Sequence, residues 1–111
     1  MRTIILLLGM LPAVLFAVPT VVATFDAPDN DITGLAYADG KLYAVDKTAK
    51  KIYVLNPSSG SVETSWSIDV KDADGLAYAG ELLYVTNGTS DVYKFKLSGT
   101  DDGKSTLYCS G

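Results

Sequence analysis

The chain has 111 residues, no histidine, one cysteine and a formal net charge of −4, enough for one domain at most. Without histidine there is no Ser-His-Asp or Cys-His constellation and no imidazole metal site, and Cys109 alone forms neither an internal disulfide nor a cysteine metal cluster. Ten glycines, seven tyrosines and eleven aspartates describe short strands joined by turns.

The chain begins with a positive Met1-Arg2, an apolar run from Ile4 to Phe16 broken only by Gly9 and Pro12, and a small Ala17 before Pro19. That layout predicts a signal peptide over residues 1–17, cleaved after Ala17. The alternative, an uncleaved anchor, is opposed by Pro12, Pro19 and the strand-like Thr20 to Phe25, which interrupt a continuous spanning helix. Cleavage leaves eight lysines against eleven aspartates and two glutamates. Such a balance argues against nucleic-acid binding and against a hold on anionic membranes, and no membrane insertion is expected once the leader is gone. The expected location is secreted, periplasmic or cell-surface.

Residues 18–32 are expected to hold one strand, Thr20 to Asp26, and a lead-in loop. In residues 33–73, strands are predicted at Thr33 to Ala38, Lys41 to Asp46, Lys51 to Asn56 and Ser61 to Ile68. Asp39-Gly40 makes the first turn, Lys47 to Lys50 a polar hairpin, and Pro57 to Gly60 the third turn. In residues 74–111 the cycle restarts with Gly75 to Ala79, Leu82 to Asn87, Asp91 to Leu97 and Ser105 to Ser110. Several strands, such as Leu42 to Val45 and Ile52 to Leu55, are apolar at successive positions, which predicts sheets covered on both faces.

The two halves are copies. Gly34-Leu35-Ala36-Tyr37-Ala38 recurs as Gly75-Leu76-Ala77-Tyr78-Ala79, 41 residues later, and eight of the fifteen positions from Gly34 to Thr48 are identical in the second copy. At the same offset Phe25 falls on Trp66 and Asp31 on Asp72, and after one deletion Ile52-Tyr53 falls on Val92-Tyr93. Four strands per unit of about 40 residues is the spacing of a β-propeller blade. The predicted fold is all-β: two four-stranded antiparallel blades, 33–73 and 74–111, preceded by one extra outer strand.

The run Leu83-Tyr84-Val85-Thr86-Asn87 resembles the tyrosine-valine-threonine-asparagine (YVTN) repeat of secreted and surface-layer propellers of bacteria and archaea. The first copy, through Leu42-Tyr43-Ala44-Val45-Asp46 to Ile52-Tyr53-Val54-Leu55, looks like the same repeat and equally like those of NHL, YWTD and gluconolactonase propellers, departing from the motif at Ala44 and Asp46. Two blades do not close a ring, since roughly four to eight are needed. The expected partners are therefore further blades of a longer chain, of which this is an N-terminal portion, or identical subunits, three of which would give six blades. The resemblance implies a binding or scaffolding module. It leaves two alternatives: part of a propeller enzyme of lyase, glutaminyl cyclotransferase or lactonase type, and a sugar-binding ring, for which Trp66 is the single tryptophan available.

Ligands of propellers sit at the loops leading into the inner strands, which points to Asp29 and Asp31 before the first blade and Asp72 and Asp74 before the second. Oxygen ligands at this spacing suit calcium, but no segment matches a full calcium loop, and the competing reading is side chains bonding the nearby backbone. No catalytic residue, metal or cofactor is expected here; Glu63 and Glu81 do not supply the channel metal of gluconolactonase-like propellers. The six repeated tyrosines, Tyr37, Tyr43, Tyr53, Tyr78, Tyr84 and Tyr93, and Trp66 are expected to pack. Asn87-Gly88-Thr89 is a glycosylation sequon.

Overall fold

A computed structural model describes residues 3–8 and 20–106. Within them lie β1 (Thr3–Leu8), β2 (Thr20–Asp26), β3 (Ile32–Ala38), β4 (Lys41–Asp46), β5 (Lys51–Leu55), β6 (Val62–Ser67), β7 (Gly75–Ala79), β8 (Leu82–Thr86), β9 (Asp91–Lys96) and β10 (Asp101–Thr106). They form a two-stranded sheet, β1-β2, and two four-stranded antiparallel meanders, β3-β4-β5-β6 and β7-β8-β9-β10. Among the described residues no helix is long and apolar enough to cross a membrane.

Local chemistry sets the strand ends. Asp39 and Gly40 (φ 50° and 76°) and Gly80 and Glu81 (φ 56° and 69°) make two-residue turns with both φ positive, the geometry that matches the twist of a hairpin. The strand β5 stops at Leu55, one residue short of the expected Asn56. There the Asn56 Oδ1 turns the chain by accepting the amides of Ser58 (2.8 Å) and Ser59 (3.2 Å).

The ladder keeps the sequence repeat. Gly34 faces Val45 and Tyr37 faces Leu42 in the first sheet; Gly75 faces Thr86 and Tyr78 faces Leu83 in the second. Leu42 then faces Leu55, as Leu83 faces Phe95, so the offset passes from 41 to 40 where the sequence predicts the deletion.

The last strand departs from the expectation of Ser105 to Ser110. It starts at Asp101, is exposed throughout, and bulges between Asp101 and Lys104, where Gly103 has φ 93°. Polar contacts hold it rather than an apolar face: Lys104 Nζ lies 3.2 Å and Thr106 Oγ1 2.9 Å from the Asp91 carboxylate. Residues 107–111, with Cys109, lie outside the described residues, as do Ala17 and the expected cleavage point.

Burial explains the successive apolar positions. Leu42 through Asp46 are all buried because the first sheet is covered on both sides. Tyr43, Val45, Ile52 and Val54 pack with Leu83, Val85 and Phe95 of the second sheet. Leu42, Ala44 and Leu55 pack with Ile4, Ala27 and Phe25 on the opposite side. Each large aliphatic so enclosed stabilises the fold by about 1.5–3 kcal/mol.

The inner strands β3 and β7 lie side by side. They approach so closely that a Cβ at Gly34 would stand 2.8 Å from the Leu76 amide nitrogen. The arrangement is two radially stacked blades, open rather than closed into a ring.

Candidate functional site

The loop before each inner strand and the hairpin after each second strand meet at one end of the blades. In the first blade the Lys47 amide donates to the Asp31 carbonyl (3.0 Å), tying the β4–β5 hairpin to the β2–β3 loop; in the second, the Asp74 amide donates to the Thr86 carbonyl (2.9 Å). Thr33 Oγ1 donates to the Ala73 carbonyl at 2.8 Å, bridging the start of β3 to the second lead-in loop across the blade boundary. Replacing Thr33 by valine keeps the shape and removes this donor, so we expect a loss of about 1 kcal/mol, read from the urea midpoint of the full chain.

All four aspartates expected from the sequence, Asp29, Asp31, Asp72 and Asp74, are exposed at this end. They do not converge on one point. Asp31 accepts from the Thr48 hydroxyl and Asp74 from the Thr86 hydroxyl (3.1 Å), while Asp29 Oδ1 accepts the next amide, Asn30 (2.6 Å). Asp72 sits in the left-handed region at φ 60°, a conformation that aspartate tolerates better than most residues. Among the described residues no group of three or more acidic, histidine or cysteine side chains is gathered to hold a metal ion.

The residue that sequence reasoning missed is Asp46, the last of β4, which is 0% exposed. Its Oδ1 accepts the amides of Thr48 (2.9 Å) and Ala49 (2.8 Å) and shapes the hairpin. Its Oδ2 is buried without a partner. Burial pushes this carboxyl above the usual aspartate range; the Ala49 and Thr48 amides oppose the rise, and the facing Asp29 carboxyl adds to it. Two ionised carboxylates have no proton to share, so the pair gains a hydrogen bond only when one is protonated. Tyr53 stands in the same field, its phenol raised by burial and then by Asp46 and Asp29. The signal was an acid closing an apolar strand where the second copy has Asn87.

Elsewhere the packing readings hold with one exception. Tyr43 is buried, with its ring 6.1 Å from that of Trp66 in an edge contact, and Trp66 is half-buried. Tyr53, Tyr78 and Tyr93 pack against the cores and Tyr84 is half-buried, but Tyr37 is 58% exposed, because nothing among the described residues covers the free side of β3. The Asn87 Oδ1 accepts the Thr89 hydroxyl (2.6 Å) within the sequon's own loop.

No family model matches the sequence, and neither does any curated protein. Solved structures do match. A glutaminyl cyclase from Myxococcus xanthus superposes with a TM-score of 0.68 at 22% identity, over 78% of this chain and 39% of that one. BamB from Moraxella catarrhalis gives 0.58 at 13% identity over 79% and 28% of the two chains, and Sqt1 from Saccharomyces cerevisiae 0.54 at 13% over 72% and 22%. The chain thus spans well under half the length of these proteins. At such identities the likeness is one of fold, and together with the two stacked meanders it shows two blades of an open β-propeller.

Proposed function

We propose that the chain is a secreted, YVTN- or NHL-like propeller segment that serves as a binding scaffold. One observation carries this reading: Thr33 at the start of β3 is bonded to Ala73 in the lead-in loop of the second blade, and that end presents Asp29, Asp31, Asp72 and Asp74 to solvent. Inter-strand hydrogen bonds and two-sided packing hold the platform rigid, while its loops bear exposed carboxylates suited to a cationic group. The apolar start of the chain supports export.

Two measurements test the proposal. The exported chain should begin at Val18 on N-terminal sequencing; an exported chain that retains Met1 removes the leader. Titration with oligolysine as the probe should show binding that weakens at least tenfold when Asp29, Asp31, Asp72 and Asp74 are all changed to asparagine. Equal binding by the two proteins sinks the role of this end.

A further inference from the structure

The two-stranded sheet repeats the outer half of a blade. Ile4 of β1 faces Phe25 of β2 as Ile52 of β5 faces Trp66 of β6. Phe25 also stands on the next blade as Trp66 does. A Cβ at Gly60, in the third turn of the first blade, would lie 2.1 Å from the Phe25 ring, and one at Gly99, in the same turn of the second, 2.8 Å from the Trp66 ring. So β2 holds the place of a fourth strand, and β1 that of a third, in a blade that precedes the first.

Among the described residues no strand supplies the inner half of that blade. Leu35 and Tyr37 of β3 are 40% and 58% exposed, whereas their repeat partners Leu76 and Tyr78 pack against the first blade. A hollow of about 370 Å³ opens beside Leu35, which lines it with Thr3, Ile4, Ala27, Ile32, Thr33 and Gly34.

We propose that Thr3–Leu8 is a removable cover over a docking surface, and that the surface takes the first three strands of one further blade of this same repeat. The occupant's chemistry follows from the contact already made between the two blades. Its inner strand brings small residues against Leu35 and Tyr37, as β3 brings Ala38, buried in the core, and the partly buried Ala36 to the cluster against which Leu76 and Tyr78 pack. Its third strand runs antiparallel to β2 with an aliphatic residue opposite Phe25.

The second blade of another copy fits less well. Its outward face has Thr86 and Lys94 where the first blade has Val45 and Val54, and its β9 is already closed by β10 through Asp91, Lys104 and Thr106. Burying Lys94 without a partner would oppose such a contact.

The proposal rests on residues 1–17 being a leader only for its trigger; the surface is tested separately. The full chain carrying a specific protease site between Ala17 and Val18 is followed by amide exchange before and after cutting. We expect β2 amides to be protected in the uncut chain and to exchange at least tenfold faster once the N-terminal piece is removed. A synthetic peptide of residues 50–57, which contains β5, should restore protection, and its Ile52→Lys form should not. Unchanged β2 exchange after cutting, or equal rescue by both peptides, overturns the proposal. A cut chain that forms a discrete oligomer with β2 protected overturns the choice of occupant in favour of a second copy. Should the cut chain unfold, uncut Ile4→Lys decides: faster exchange confined to β2 supports a removable cover, and loss of β4 and β5 protection as well overturns it.

Discussion

Gly34→Val destabilises the full chain by about 3 kcal/mol, toward the upper end of the cost of forcing extra methylenes into a packed interior. The added Cβ would fall 2.8 Å from the Leu76 amide nitrogen and 3.1 Å from both the Gly75 carbonyl carbon and the Leu76 Cβ. None of these atoms is the free end of a side chain, so relief requires the inner strands to part. Parting them stretches the Thr33–Ala73 bridge next door and loosens the end that carries the exposed aspartates. Gly40→Ala is the control for backbone strain alone: its φ is 76° and nothing lies within 4 Å of the new Cβ, so about 1 kcal/mol is expected. Urea unfolding followed by Trp66 fluorescence reads both, since Trp66 lies at the blade boundary. A Gly34→Val protein within 1 kcal/mol of the parent would mean that the inner strands are not in the contact described.

Most of this geometry was open to sequence reading because it is local or repeated. The turn at Asp39-Gly40 needs only two residues to specify it, and the change of offset from 41 to 40 locates the ladder of β8 on β9 through named pairs such as Leu83 with Phe95. What escaped was set by distant partners. Thr3–Leu8 reads as a leader by composition, and its role beside β2 depends on register with partners that run from Thr20, opposite Leu8, to Asp26, opposite Thr3. The start of β10 was misplaced because Asp101 to Thr106 lacks the alternation that marks a strand; Asp91 holds it from across the sheet. An aspartate at a strand end reads as a turn former, which Asp46 is. Its burial arises only because the first blade is covered on both faces, and the carboxyl facing it arrives from the preceding loop.

Asp46→Asn stabilises the chain at neutral pH by about 1–3 kcal/mol, the cost of a buried polar atom left without its hydrogen bond. Asparagine keeps an Oδ1 for the Thr48 and Ala49 amides and, in place of the unpartnered Oδ2, turns a donor toward the facing Asp29 carboxylate. The second copy already carries asparagine at this position, as Asn87. The sign of the pH dependence follows from the raised carboxyl. A group whose pKa is higher folded than unfolded contributes stability that is fully present below its unfolded value, near pH 4, and is lost as pH rises through the folded value. The parent chain should therefore weaken relative to Asp46→Asn as pH is raised from about 4, and the gap should become constant once the carboxyl is fully ionised. Asp29→Asn should narrow the gap without abolishing it, because burial, the larger cause, remains. Asp46→Ala leaves the Thr48 and Ala49 amides without their acceptor and should be less stable than the parent at every pH. Urea midpoints between pH 4 and 8 for the four proteins separate these effects. A gap that stays flat with pH, or one that widens toward acid, would show that folding does not raise the Asp46 carboxyl.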